Sequence, residues 1–128
     1  MKKIILLFAV LITSFSFGQN LLTNGDFEQG ATNWAGNAFN AVDDGSGTNM
    51  RNEANVATAG NPWDVSLNQP LSLTAGTTYV LSYIAYTDAT TGTRSMTAGI
   101  GRNEPDWAAL TSNPALTATP TTFTYTYT

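Results

Sequence analysis

The chain of 128 residues contains no cysteine and no histidine, and both absences limit its chemistry. Without cysteine, a domain of this size must be held together by packing, or by a bound metal ion, because disulfides cannot form. Without histidine, the chain lacks the most versatile general base and the commonest ligand of transition metals. Catalytic triads built on serine or cysteine are therefore excluded in their usual form.

Long apolar runs are also absent, apart from one at the N-terminus. There, two lysines precede an apolar run over residues 4–12, and the small residues Ser16 and Gly18 follow it. This is the layout of a secretory signal peptide, and the run is well short of the roughly 20 apolar residues of a membrane span. We expect cleavage after Gly18. The sequence thus predicts a signal peptide at 1–18 and a secreted domain at 19–128, either extracellular, on the cell surface or in the periplasm.

Positive charge is scarce in the predicted mature domain. Residues 19–128 carry three arginines against nine acidic residues, a net charge of −6. Binding to nucleic acid or to anionic membranes needs clustered positive charge, so both partners are disfavoured.

The mature sequence shows alternating apolar residues and frequent Thr, Ser, Gly and Asn, with no helical period. The best strand is Tyr79–Tyr86, where both faces carry apolar side chains, so we predict a central strand covered on both sides. Short strands at intervals of roughly ten residues predict an all-β sandwich or jelly roll. The predicted strands are Phe39–Val42, Trp63–Asn68, Tyr79–Tyr86, Arg94–Gly101 and Thr121–Thr128.

The last segment, TTFTYTYT, stops while its alternation is still running. Since a two-sheet domain rarely ends in the middle of a strand, we expect the domain to lack at least its closing strand. We therefore expect the chain to be a fragment of a longer protein.

Three segments in order carry a resemblance: NLLTNGDFEQGATNW, then VATAGNPWDVSLNQPLSLTAGTTYVLSYIAY, then MTAGIGRNEPDW. Together they resemble carbohydrate-binding modules of families 4 and 9 over Asn20–Thr128. The resemblance implies a galactose-binding-domain-like β-jelly roll that binds polysaccharide without catalysis and targets a secreted glycoside hydrolase. One hypothesis is that the chain is the N-terminal fragment of such a larger enzyme. The AGIGRNEPDW version is most similar to modules that accompany β-1,3-glucanases, which makes laminarin-type glucan the first substrate guess, with xylan or amorphous cellulose next.

A sugar ring presents C–H bonds on its faces and hydroxyl groups at its edge, so its site needs flat aromatics flanked by polar groups. Trp63 and Trp107 both lie beside polar clusters. The candidate ligand-binding residues are Trp63, Trp107, Asn61, Asp64, Gln69, Arg102 and Asn103.

Each of these candidates also has an ordinary structural interpretation. Most aromatics at strand spacing pack inward, and Trp63 shares its strand face with Val65 and Leu67. The polar candidates would then be solvated loop residues. We assign Trp34 to the core and expect Tyr86, at a strand end, to border the site.

Carboxylates near glycine-rich turns suggest a structural calcium ion, because calcium prefers oxygen ligands. Asp26, Glu28, Asp43 and Asp44 are such residues, although DDGSG lacks the spacing of an EF-hand loop. By resemblance the best metal ligand is Glu28, whereas the alternative is an ordinary surface carboxylate. The family's closing strand with a terminal Asp, a second calcium ligand, is missing here.

No motif singles out the carboxylate pair that a glycosidase would need. We therefore predict that the domain is not an enzyme by itself. The alternative to glycan binding is a structural or adhesive secreted β-sandwich with its tryptophans in the core.

Overall fold

The computed structural model describes residues 18–58 and 60–128, and every helix-or-strand element in them is a β-strand. The predicted signal peptide lies outside the described residues except for Gly18. The ten strands are β1 (Ala35–Gly36), β2 (Ala41–Asp43), β3 (Met50–Asn52), β4 (Leu67–Asn68), β5 (Tyr79–Ala85), β6 (Arg94–Ser95), β7 (Ala98–Gly101), β8 (Ala109–Ser112), β9 (Ala115–Leu116) and β10 (Thr121–Tyr127).

All strand pairs are antiparallel: β1 with β4, β2 with β3, β5 with β10, β6 with β9 and β7 with β8. The protein is therefore all-β, as predicted, and its antiparallel pairing is consistent with a β-sandwich. The jelly-roll connectivity stays a prediction. In the described part of the chain, there is no helix of the length and apolarity that a bilayer crossing requires.

The longest ribbon joins β5 to β10, and one of its faces is aromatic. The register places Tyr83 opposite Phe123, with ring centroids 5.7 Å apart, and Tyr127 opposite Tyr79. Tyr127 is buried, and its hydroxyl donates to the Ala98 carbonyl at 3.3 Å and contacts Ser112 Oγ at 3.0 Å. This side chain connects the ribbon to the β7–β8 hairpin, which identifies the aromatic face as the inner one.

The opposite face of β5 corrects one prediction. Val80 and Ile84 are 65% and 66% exposed, so the strand is not covered on both sides. In the described residues β5 pairs with β10 alone, and that partner presents threonines on the same outer face. Val and Ile favour strands because they fit a pleated backbone, and that preference says little about burial.

A second cluster of aromatics fastens the N-terminal segment. Phe27 lies 5.3 Å from Trp34 and 6.3 Å from Phe39, measured between ring centroids. The indole Nε1 of Trp34 donates to the Asn24 carbonyl at 2.8 Å, and the Asn24 amide donates to the Gly30 carbonyl at 2.8 Å. Trp34 is thus half-buried and packed on Phe27, which is consistent with the predicted core position without making Trp34 fully buried.

The other predicted strands agree with the structure to different degrees. Of Phe39–Val42, only Ala41–Val42 is in a strand, as part of β2. Of Trp63–Asn68, only Leu67–Asn68 is a strand, because Pro62 favours a turn and removes a backbone donor. The predicted strand Arg94–Gly101 is interrupted at Met96–Thr97 and forms β6 and β7. The C-terminal alternation is a strand, β10, as predicted.

Candidate functional site

Trp63 lies in a tight turn that presents its ring to solvent. The Asp64 N–H donates to the Asn61 carbonyl at 3.0 Å, and Pro62 occupies the second position, where its fixed φ suits a β-turn. The Asp64 carboxylate also accepts the Asn61 N–H at 2.8 Å, so a second hydrogen bond joins the two ends of the turn. The Trp63 side chain is 70% exposed, so the inward packing suggested by its alternation with Val65 and Leu67 is wrong.

Asn37 fastens this turn to the β1–β4 ribbon. Its Nδ2 donates to the Asp64 carbonyl at 2.8 Å, and its Oδ1 accepts the Ser66 N–H at 2.8 Å. Gly36, at a φ of +105°, makes the close approach possible, because a Cβ there would collide with the Ser66 carbonyl. The base of the Trp63 turn is therefore held by both polar ends of one amide side chain.

Trp107 lies at the tip of the β7–β8 hairpin. The loop closes through the Arg102 N–H, which donates to the Ala108 carbonyl at 2.9 Å, and through an ion pair of 3.0 Å between Arg102 and Asp106. Within it, the Trp107 N–H donates to the Glu104 carbonyl at 2.9 Å. The indole is 65% exposed.

The backbone of this tip is in an unfavourable conformation. Asp106 and Trp107 have φ values of +44° and +48°, in the left-handed region that bulky side chains rarely adopt. Such strain is retained where the surrounding structure imposes it, and it clusters at binding sites. The hairpin thus holds a large aromatic in a conformation that glycine would adopt more easily.

The two tryptophans are positioned separately. In the residues that the structure describes, no hydrogen bond connects the Trp63 turn with the Trp107 loop. Each displayed ring therefore has its own support.

Beside the Trp63 turn runs a groove of about 270 Å³, which we call the Phe39 groove. Arg51 donates at 3.2 Å to Glu53, one of its lining residues. This bond, with the nearby Tyr86 phenol, raises the pKa of Arg51. Tyr86 is 39% exposed but does not line the groove, so its place at the border of the site stays a prediction. The lining residues are Asn37, Ala38, Phe39, Asn40, Glu53, Ala54, Asn55 and Val65.

Comparison with protein families identifies the class. The carbohydrate binding domain family CBM_4_9 matches residues 19–128. The chain belongs to this family. The comparisons with curated proteins and with solved structures each found no match. Family membership confirms the resemblance seen in the sequence and makes carbohydrate the ligand, bound by a domain that is not catalytic by itself.

Several polar candidates of this carbohydrate binding domain already have partners within the protein. Gln69 pairs with the Thr23 backbone, accepting its N–H at 2.9 Å and donating to its carbonyl at 2.9 Å. Asp64 closes the Trp63 turn and Arg102 closes the Trp107 loop. Asn61 and Asn103 are exposed beside the two rings. All five stay predicted ligand contacts, and three of them have a structural role as well.

Gln69 also lines a second, more open groove of about 550 Å³, next to the N-terminal segment. Its wall is largely apolar, with exposed Leu21 and Leu71. Neither Trp63 nor Trp107 lines this groove, and neither lines the Phe39 groove.

Glu28, the predicted metal ligand, accepts the Met50 N–H at 2.7 Å through Oε1 and so joins the N-terminal segment to β3. Among the described residues, no group of three or more acidic side chains is placed to hold a metal ion. A calcium ion at Glu28 would therefore need backbone carbonyls or water as its other ligands. The second carboxylate oxygen is the donor that Glu28 would supply, and calcium binding there stays a prediction.

Proposed function

We propose that this carbohydrate binding domain recognises a β-glucan, with laminarin-type β-1,3-glucan as the first candidate and xylan or amorphous cellulose next. In this proposal it is secreted and targets a glycoside hydrolase, as a catalytic domain fused beyond residue 128, to the polysaccharide. The observation that carries the glycan site is the exposure of two supported indole rings, Trp63 and Trp107.

The expected contributions to the binding free energy indicate that the two rings supply most of the affinity. Aromatic anchors at interfaces typically cost about 2 kcal/mol or more on truncation to alanine. A loss of that size weakens binding about thirtyfold. A hydrogen bond to a sugar hydroxyl exchanges water for protein and contributes only about 0.5–1.5 kcal/mol. Trp63 and Trp107 are therefore expected to supply affinity, and the neighbouring polar groups orientation.

The structural or adhesive alternative places the tryptophans in a core. Trp34 fits that description, since it packs on Phe27 and bonds to Asn24. Trp63 and Trp107 do not, because most of each side chain is in contact with solvent. Their exposure supports a ligand site.

Intrinsic tryptophan fluorescence tests the proposal directly. We expect titration with laminarin to shift the emission of the purified protein, and xylan or amorphous cellulose to bind more weakly. Trp63→Ala should weaken laminarin binding about thirtyfold. Ile84→Ala is the matched control, because it removes an equally exposed apolar side chain from the outer face of β5.

Two results would count against the proposal. Absence of any response to β-glucans, in fluorescence and in affinity gels, would reject the substrate class. Equal losses in Trp63→Ala and Ile84→Ala would reject Trp63 as a binding platform.

A further inference from the structure

The direction of the Trp63 ring depends on the backbone of its turn. The side chain is 70% exposed, so packing against neighbours restrains only a minor part of the ring. Two hydrogen bonds between Asn61 and Asp64 close the turn. These bonds fix the shape of the turn, but they do not join it to a strand. The direction in which the ring points is therefore set by the contacts that attach the turn to the rest of the fold.

Asn37 makes that attachment with both ends of its side-chain amide. Its Nδ2 donates to the Asp64 carbonyl at 2.8 Å, and its Oδ1 accepts the Ser66 N–H at 2.8 Å. Asn37 directly follows β1, and Ser66 directly precedes β4. The amide therefore extends the hydrogen bonding of the β1–β4 ribbon up to the Trp63 turn.

The chemistry of this contact requires an amide. One short side chain has to donate to a carbonyl and accept from an N–H at the same time, and asparagine has both groups. Aspartate at position 37 would keep the acceptor for the Ser66 N–H. It has no donor, however, and would place a carboxylate oxygen against the Asp64 carbonyl.

We propose that Asn37 is a positioning residue of the glycan site, which acts through Trp63 and not by contact with the sugar. The inference rests on the proposed glycan function and deepens it. A ring that is already held in place does not have to be ordered by the ligand, and the cost of ordering a mobile side chain weakens association. Binding residues need supporting hydrogen bonds of this kind to keep their geometry.

Asn52, on β3, provides a matched control. Its amide makes the same pair of bonds with another segment, since Nδ2 donates to the Ala38 carbonyl at 3.0 Å and Oδ1 accepts the Asn40 N–H at 2.8 Å. Neither of these residues belongs to the Trp63 turn. Asn52 is also the more buried of the two asparagines, so a purely structural effect should be at least as large in Asn52→Ala as in Asn37→Ala.

NMR relaxation of the indole N–H groups measures the positioning without a ligand. The three tryptophans of the chain give three indole signals, and Trp63→Phe assigns that of Trp63. We expect Asn37→Ala to lower the order parameter of the Trp63 indole and to leave those of Trp34 and Trp107 unchanged. Asn37→Asp should have the same effect, whereas Asn52→Ala should leave all three order parameters unchanged.

Calorimetry with laminarin hexasaccharide measures the consequence for binding. Asn37→Ala and Asn37→Asp should each lose about tenfold in affinity, the size expected when the ligand has to order the ring. Asn52→Ala should bind as the wild type does. In the Trp63→Ala background, Asn37→Ala should cause no further loss, because no ring is left to position.

Thermal melts check that each variant is folded at the temperature of the measurements. If Asn37→Ala does not fold, Asn37→Asp gives the same comparison, because it removes the donor alone.

Three results would each overturn the inference. The first is an unchanged order parameter of the Trp63 indole in the Asn37 variants, and the second is an equal loss of affinity in Asn37→Ala and Asn52→Ala. The third is a loss from Asn37→Ala that persists in the Trp63→Ala background, since Asn37 would then contact the sugar itself. If the wild type binds no β-glucan, the proposed function falls by itself, because the order parameters still decide whether Asn37 holds the ring.

Discussion

At the scale of single residues, the two displayed tryptophans are held by different means. Trp63 occupies an ordinary turn that Asn37 fastens from below, so its backbone is relaxed and its support is a side chain. Trp107 has a left-handed backbone conformation, which the closed hairpin loop imposes on it. At Trp107, the loss of the ring and the relief of backbone strain can therefore be measured separately, as glycan retention and as stability.

The first prediction concerns Trp107. Trp107→Gly should abolish most retention in β-glucan affinity gels and leave the protein at least as stable as Trp107→Ala, because glycine adopts a φ of +48° without steric cost. Stability is measured by chemical denaturation of both variants. If Trp107→Gly proves clearly less stable than Trp107→Ala, the left-handed backbone is not a source of strain. If retention is unchanged, Trp107 is not in the site.

The sequence was sufficient to suggest the exposed rings and insufficient to find the groove. Trp63 and Trp107 are flanked by turn residues and polar side chains, and both features can be read locally. Asn40 and Asn55 are fifteen positions apart and become neighbours only because β2 and β3 pair. No local pattern reports such a pairing.

At the scale of elements, β5 and β10 were predictable because their alternation is long and strict. Both were placed to within one residue of their bounds. The short strands were not predictable, since two or three residues carry too little periodicity to distinguish a strand from a turn. The failure at Trp63–Asn68 has that cause, with the added turn preference of Pro62.

The β5–β10 ribbon contains two tyrosine hydroxyl groups in contrasting environments. The Tyr83 hydroxyl is buried and has no hydrogen-bond partner among the described residues, whereas the Tyr127 hydroxyl bonds to Ala98 and Ser112. Tyr83→Phe should therefore be neutral or stabilising, and Tyr127→Phe should cost about 1–2 kcal/mol, because it removes the partner of two partly buried oxygen atoms. Thermal unfolding at neutral pH measures both.

Alkaline titration tests the same environment by another route. Burial raises the pKa of Tyr83 from 10.0 to about 12. Between these values the unfolded chain loses the phenolic proton and the folded chain keeps it, so this contribution to stability is present below pH 10 and is lost as the pH rises through 12. In Tyr83→Phe the fall in stability over this range should be shallower. An unchanged slope would contradict the burial of the phenol.

At the scale of the whole molecule, little side-chain volume is fully enclosed. The buried apolar residues of the described chain are Ala38, Pro114, Leu116 and Tyr127. With so small a core and no disulfides, hydrogen bonds between segments distant in sequence contribute a large share of the tertiary order. Two of them hold the N-terminal segment: Gln69 to Thr23, and Glu28 to Met50.

The Glu28 carboxylate accepts a hydrogen bond from Met50, and it is also the predicted calcium ligand. Glutamine at position 28 can still accept the Met50 N–H through its amide oxygen, but it removes the negative charge that calcium prefers. If calcium binds there, millimolar calcium should raise the melting temperature of the wild type, because a ligand of the folded state alone stabilises it. Glu28→Gln should show no such rise and should melt near the wild type in chelator.

Glu104→Gln, which neutralises an exposed carboxylate of the Trp107 loop, should keep the response. A wild type whose melting temperature ignores calcium would leave Glu28 as a hydrogen-bond acceptor that joins the N-terminal segment to β3, with no metal involved.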